Sequence, residues 1–339
     1  MSVEARFWQQ AGYMKTQCRL CPHRCKLAPN EKGKCGVRIN EDGVLRSLIY
    51  GMCAAVSEDP IEKKPLFHVY PGSKVLSVGT VGCNLFCQHC QNWSLSRGDP
   101  ELGRFNRMMP DSVVRIAKAS GCRGVAFTYN EPTVWMEFVI DTLRLAKDAG
   151  LYTSVVSNGY VESKPWEELC CFLDAANIDV KAFSDCFYHE VCGGHLQPVL
   201  ETISIAHKKD VHVELTYLII PGKNDNTEEL EKFCFWVKNE LGVDVPIHFT
   251  AFHPDGKMRD VPPTPLGKLK KAADIARNTG LHYVYIGNVL ESGSEDTICP
   301  NCGSILIERH GYKTIVHQLV DSRCGKCGFN IPLLGAQTL

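Results

Sequence analysis

Residues Gly79 to Trp93 read GTVGCNLFCQHCQNW and begin inside an apolar β-type run, Val75–Val81. Cys83, Cys87 and Cys90 therefore stand as C-x3-C-x2-C at the end of a strand. A loop this short can wrap three thiolates around one iron–sulfur cubane, which normally takes four. Three local ligands leave one iron open, and an open coordination position separates a reacting metal site from a structural one. A structural site completed by a distant cysteine, or a Cys-rich loop without metal, is the alternative. Position at the C-terminal end of a strand is where β/α folds place chemistry, and it favours the reacting site.

Downstream, short β-type runs alternate with amphipathic segments. The strand candidates after Val75–Val81 are Gly124–Thr128, Tyr152–Ser157, Ala176–Val180, His212–Ile220 and Ile247–Ala251. Between them lie helical patterns at Asp111–Ser120, Val134–Ala149, Lys164–Leu173, Val199–Lys209 and Thr227–Leu241. This alternation implies right-handed βαβ units and a parallel sheet. Six units are read, and His282–Gly287 could supply a seventh strand. The expected fold is α/β, a partial (β/α)6 TIM-type barrel over residues 71–292, preferred to an open doubly wound sheet.

Composition narrows the function. Of 339 residues, 37 are Lys or Arg and 38 are Asp or Glu, a formal net charge of -1 that argues against a general electrostatic grip on nucleic acid or an anionic membrane. Hydrophobic residues reach 44%, enough for a large core. No apolar run is long enough to span a bilayer, and the polar opening MSVEARFWQQ lacks the pattern of a signal peptide, so a cytoplasmic location is expected. Eighteen cysteines in such a chain do not read as disulfides. Eleven fall into three tight groups; most of the other seven, including Cys122, Cys170 and Cys234, read as buried inert thiols.

The two other groups flank the barrel. In residues 1–70, QCRLCPHRCKLAPNEKGKCGVR spaces Cys18, Cys21, Cys25 and Cys35 as C-x2-C-x3-C-x9-C. Four thiols suit a closed zinc site or a second iron–sulfur cluster equally well. His23 could substitute as a ligand, although Pro22-His23 is more simply part of a turn. In residues 293–339, after the polar linker Ser292–Asp296, Cys299, Cys302, Cys324 and Cys327 form two Cys-x2-Cys-Gly knuckles. The alternating stretch between them has a hairpin turn expected at His310-Gly311. This is zinc-ribbon spacing, and Zn2+ is preferred to iron. A tail this short cannot bury much apolar surface unaided.

The cysteine loop, together with Phe86, His89, Asn92 and Trp93, resembles the radical S-adenosylmethionine (radical SAM) superfamily, in its glycyl-radical-enzyme activating branch. The resemblance spans about Val75 to Val289. It implies a [4Fe-4S] cluster whose open iron binds SAM and cleaves it reductively to a 5′-deoxyadenosyl radical, which abstracts hydrogen from a protein or small-molecule substrate. It also implies a reductant protein such as ferredoxin or flavodoxin. The segment TYNEPT occupies the place of the family's Gly-Gly-Glu motif, so Glu131 is the expected acceptor for the SAM ammonium, helped by Asn130. Here Tyr129-Asn130 replaces two glycines. Ser157, Asn158 and Gly159 resemble the Asn-Gly turn beside the SAM ribose and methionine. Asp179 and Lys181 match the Asp-x-Lys of the fourth strand, with Lys181 meeting the SAM carboxylate and Asp179 keeping that lysine charged. A structural ion pair is the alternative. His253 resembles the histidine that faces the SAM ribose and carboxylate, whereas His248, within the strand, reads as core. LIIPGKND resembles the Val-Pro-Gly turn bordering the adenosine.

More narrowly, CRLCPHRC, TYNEPT and FHPDGKMRDVPPTP resemble the AmmeMemoRadiSam-system radical SAM proteins, which implies AMMECR-type and Memo-type partner proteins. Two other functional classes are kept: a metal-stabilised scaffold that binds RNA or protein, and a sulfur-inserting radical SAM enzyme using an N-terminal cluster. The two flanking Cys groups could also cover the open side of an incomplete barrel.

Overall fold

The structure, a computed structural model, describes residues 2–103, 105–289 and 291–335; the last four residues of the tail lie outside that set. Its centre is an eight-stranded sheet. Strand β1 (Ala55–Pro60) is the antiparallel edge, followed by seven parallel strands in simple chain order. These are β2 (Lys74–Gly79), β3 (Gly124–Phe127), β4 (Tyr152–Ser157), β5 (Ala175–Asp179), β6 (His212–Ile219), β7 (Ile247–Ala251) and β8 (Val284–Gly287). Strands β1 and β8 do not pair with each other, so the barrel is open on one side, as expected. The parallel strands are buried almost throughout, which explains why they read as apolar runs rather than alternations.

One helix of eight residues or more follows each strand from β2 to β7: α1 (Pro110–Ala119), α2 (Met136–Asp148), α3 (Ser163–Cys170), α4 (Leu196–Lys208), α5 (Thr227–Glu240) and α6 (Leu266–Thr279). Helix α1 has Pro110 in its first turn and buries Pro110, Val113, Val114 and Ala117, an i, i+3, i+4, i+7 stripe. In α5 the Asn226 side chain accepts the Glu228 amide, and two acidic residues follow in the first turn. The sequence reading missed α6, whose Lys-rich LGKLKKAADIARNT buries only a narrow stripe of mostly alanines. It also missed β1: AVSEDP is polar and ends in proline, which only an edge strand tolerates. Residues 55–60 thus belong to the barrel sheet although they sit within the Cys-rich N-terminal portion of the sequence.

The tail closes the open side. Its hairpin pairs Ile305–His310 with Lys313–Val316 around Gly311 (φ 58°), where the turn was expected. Arg309, 3% exposed, donates to the Phe67 carbonyl (2.7 Å), which follows the β1 edge. It also donates to the Glu295 carbonyl (2.9 Å) and the Thr297 hydroxyl (2.8 Å), which follow β8. Around this guanidinium, Leu306, Ile307, Ile331 and Leu333 of the tail pack with Phe67, Tyr283 and Tyr285 of the barrel in one buried cluster. The N-terminal segment sits elsewhere, against α2 and α3, through Arg38–Glu137 (2.6 Å) and Arg6–Glu168. No helix among the described residues is long and apolar enough to cross a membrane.

His68 ties this joint together. It is fully buried, with Nδ1 3.1 Å from the Pro332 carbonyl and Nε2 2.7 Å from the Tyr285 hydroxyl. A neutral ring donating from Nδ1 and accepting at Nε2 satisfies both partners, and burial pushes its pKa down to about 3. An unfolded histidine binds its proton below about pH 6.5, so the unfolded state takes up the proton first. Stability should therefore fall as pH drops from about 6.5 towards 3, by up to about 1.4 kcal/mol per pH unit for this group. In denaturant titrations His68→Phe should be less stable near neutrality yet show a flatter pH slope than wild type; an unchanged slope would refute the assignment.

Candidate active site

The three cysteines of the central loop, Glu131, Asn158 and the Asp179–Lys181 pair all line one cavity of about 670 Å³ inside the sheet and at its C-terminal mouth. That volume suits a ligand of nucleoside size. Strand parity explains the wall: Thr216 and Leu218 of β6, and His248 and Thr250 of β7, point inward at alternate positions.

The cysteine loop is clamped from several sides. Asn130 accepts from the Thr80 amide (3.0 Å) and donates to the Gly82 carbonyl (2.9 Å). Behind the loop, Phe86 and Gln88 donate their amides to the Cys192 and Val191 carbonyls (2.6 and 3.0 Å). From the far side, Lys257 donates to the Gln88 carbonyl (2.7 Å), and a Cβ on Gly256 (φ 57°) would fall 2.6 Å from that same oxygen. The PDG turn of the loop after β7 thus needs its glycine to reach the cluster loop. The Cys87 thiol lies beside that of Cys192; the hydrogen bond between them, then burial, raises its pKa well above the ordinary thiol value. Burial likewise raises Cys83.

Glu131 is 2% exposed and held by three donors: the Thr133 amide (3.0 Å), the Ser157 hydroxyl (2.8 Å) and the Asn158 amide (2.8 Å). Burial raises its pKa against those bonds. Asn158 also reaches the Asn84 side chain (3.0 Å) and the Cys83 sulfur (3.6 Å), joining the β4 turn to the cysteine loop. Lys181 meets Asp179 at 2.7 Å; burial works against its charge, but Asp179 and the neighbouring thiols outweigh it and raise the lysine pKa. The Pro221-Gly222 turn contributes through Asn224, which donates to the Lys181 carbonyl (2.7 Å).

Two expectations change. His253 is exposed, and its Nε2 faces the Asn288 carbonyl (3.3 Å) rather than the cavity. It lies beyond the end of β7, whose inward positions are 248 and 250, so it reaches the site only through Asn288, which lines it. His248 is buried as expected, but it also lines the cavity and contacts Glu214 at 2.6 Å.

Sequence reading gave His89 no role beyond its place in the cysteine motif and missed Glu214 and the role of Tyr129. His89 is 4% exposed and lines the cavity with an Nδ1 that makes no hydrogen bond within the protein. Burial, then Lys181, pushes its pKa down to about 3, so it is a neutral ring with one polar atom free. Glu214 could have been found from its parity with Thr216 and Leu218, a carboxylate in the middle of a buried strand. Tyr129 adopts φ 74° where the resembled motif carries glycine. Its hydroxyl donates to Asp59 at 2.5 Å, and the Lys64 ammonium lies 4.8 Å from its ring centroid.

A family model described as "Radical SAM superfamily" matches residues 77–236, which contain Cys83, Cys87, Cys90, Glu131, Asn158, Asp179 and Lys181. An uncharacterized protein of Methanocaldococcus jannaschii, MJ0808, is 43% identical over 98% of this chain and 99% of its own length. The pyruvate formate-lyase-activating enzyme of Clostridium pasteurianum is 26% identical over 56% of this chain and 84% of its own. Residues 77–236 form a radical SAM domain. The chain is accordingly an enzyme, and such a domain implies a [4Fe-4S] cluster and SAM. Among solved structures, Streptococcus suis SuiB bound to S-adenosylmethionine matches with a TM-score of 0.50 at 13% identity, over 65% of this chain and 50% of SuiB, a likeness of fold.

The residues fit such a cluster. Cys83, Cys87 and Cys90 line one cavity and offer the three thiols such a cluster takes, with Glu131 and Lys181 lining the same space. Cys299, Cys302, Cys324 and Cys327, by contrast, bring all four sulfurs within 4.8 Å, with Cys299–Cys327 and Cys302–Cys324 both at 3.6 Å.

The strained Tyr129 gives a direct test of how the radical SAM site is held. Tyr129→Phe removes the hydrogen bond to the Asp59 carboxylate and should cost about 1.5–3 kcal/mol in chemical denaturation. A cost below about 0.5 kcal/mol would mean that the bond does not hold the left-handed turn.

Proposed function

We propose that this protein cleaves SAM reductively at a [4Fe-4S] cluster bound by Cys83, Cys87 and Cys90 and directs the radical to a hydrogen atom of its substrate. When bound, the cluster and SAM supply one-electron cleavage of the sulfonium to methionine and a 5′-deoxyadenosyl radical. The carrying observation is that three cysteines, a fixed carboxylate and a charged lysine face one cavity from different strands. Glu131, already oriented by three donors, accepts the SAM ammonium; Lys181, oriented by Asp179, meets the carboxylate. Asn158 and Asn130 position the cysteine loop rather than the substrate. Glu131 follows β3 and Lys181 follows β5, on either side of β4, so the two would hold the ammonium and carboxylate of SAM from different directions.

Closure of the open side by the tail and by residues 62–68 restricts the substrate to a small molecule or a flexible loop of a larger partner. Tyr312 of the tail hairpin lines the same cavity and narrows it. A low-potential electron donor of the ferredoxin or flavodoxin class is the implied reductant. AMMECR-type and Memo-type proteins are partners suggested by sequence resemblance alone.

Anaerobically reconstituted protein given dithionite and SAM should release 5′-deoxyadenosine and methionine, and Cys83→Ala, Cys87→Ala and Cys90→Ala should each abolish it. Glu131→Gln and Lys181→Met should each weaken SAM binding about tenfold or more, because each removes a charge-assisted contact. Product formation at the wild-type level by any cysteine variant would overturn the proposal.

For the tail we propose zinc. A Zn–S bond of about 2.3 Å places tetrahedral thiolates about 3.8 Å apart, close to the two 3.6 Å separations. Elemental analysis should find about one zinc per chain. Cys299→Ser/Cys324→Ser should lose it and lower the Tm, since the metal anchors the segment that covers the barrel's open side. Full zinc retention in that variant would remove the assignment.

A further inference from the structure

The N-terminal cysteines resolve differently from those of the tail. Cys18, Cys21, Cys25 and Cys35 line one small cavity of about 20 Å³, together with Leu20, Val134, Lys34 and Arg38. Among the described residues their sulfurs do not converge on one ion position as the tail's four do. A zinc tetrathiolate requires about 3.8 Å and leaves no void, whereas this one exceeds the ~10–15 Å³ of a single water-sized sphere.

Charge supports the same reading. Arg38 is 1% exposed and lines the cavity; its terminal nitrogens are held by the Arg6 carbonyl and Glu137 (3.0 and 2.6 Å), but its Nε–H has no acceptor. A buried donor without a partner beside four thiols suits an N–H···S bond to an anionic cluster. The lining carries two cations, Lys34 and Arg38, and no carboxylate.

The cavity also adjoins the radical site. Asn84, next in sequence to Cys83, lines it, and its carbonyl is 2.7 Å from His23 Nε2. Gly82, on the other side of Cys83, has φ 93°, and a Cβ there would fall 3.0 Å from the Cys35 carbonyl. One peptide segment therefore touches both cysteine groups.

We infer that Cys18, Cys21, Cys25 and Cys35 bind a second [4Fe-4S] cluster, which passes one electron through the Gly82–Asn84 segment to the cluster held by Cys83, Cys87 and Cys90. An external low-potential donor protein reduces the outer cluster by one electron. Transfer inward returns it to the oxidised state, and no bond or proton moves. The relay rests on the radical SAM reading above; the presence of the second cluster does not.

The triple variant Cys83→Ala/Cys87→Ala/Cys90→Ala, reconstituted anaerobically, separates the two. It should retain about four iron atoms per chain and, on reduction, a paramagnetic signal insensitive to SAM. Two zincs and no iron would overturn the second cluster. In wild type mixed with reduced flavodoxin and freeze-quenched, that SAM-insensitive signal should rise first and the SAM-sensitive one after it; the reverse order would overturn the relay. The quadruple Cys18→Ser/Cys21→Ser/Cys25→Ser/Cys35→Ser variant should lose half the iron and about tenfold or more of flavodoxin-driven, but not dithionite-driven, SAM cleavage. Equal loss under both reductants would also count against the relay. Iron retained by the triple variant, with no SAM-sensitive signal in wild type, would leave the second cluster standing and refute the radical reading instead.

Discussion

A parallel sheet that stops short of closing must satisfy the polar groups on its open side and supply a floor to its interior. The carboxylate of Glu214 does much of this. Wholly buried, it accepts the Phe67 and His68 amides (3.0 and 2.8 Å) and contacts His212 and His248 (3.2 and 2.6 Å). Burial alone would raise its pKa; the two histidines outweigh that and hold it well below the usual carboxylate range. Residues 61–70 are thereby fastened beneath the strands, and His68 in turn receives the tail. Four partners on one buried anion are what make such a charge tolerable, and removing any of them would leave it under-satisfied.

From that floor the cavity follows. The interior positions of β6 and β7 near Glu214 are polar or ring-bearing, and the space above them is left open up to the cysteine loop. The same loop that offers three thiols is gripped by Asn130, Asn158 and the backbone of the 188–192 turn, so its geometry is set by partners on several strands. Preorganisation of this kind keeps the Glu131 carboxylate and the Lys181 ammonium in place without help from a bound molecule. Tyr129 shows how a departure from the family pattern is accommodated: an ordinary side chain in a left-handed turn is offset by a bond to a buried aspartate and by a nearby ammonium.

The three cysteine groups differ by spacing rather than by number. Four converging sulfurs in the tail match one tetrahedral ion, while the N-terminal four surround a void lined by an unpartnered guanidinium nitrogen. Sequence spacing alone left zinc and iron–sulfur equally open at the N-terminus, because ligand separation in space depends on how the intervening loops fold.

What the chain's sequence determined by itself was the chemistry carried by short-range order. The C-x3-C-x2-C loop after a strand, the β/α alternation and each Cys-x2-Cys knuckle are patterns within short stretches, so local spacing specified them, and resemblance to radical SAM motifs pointed to Glu131, Asp179 and Lys181. Only the tertiary structure decided the rest. It placed β1 in the sheet despite its polar sequence, turned His253 outward beyond the last inward position of β7, and brought Glu214 to Phe67, His68 and His248, three partners distant in the chain. It also set the N-terminal cysteines against Asn84. Each of these is a contact between segments far apart in sequence, formed because a buried polar group or an open sheet edge must find a partner, and no local pattern records which partner that will be.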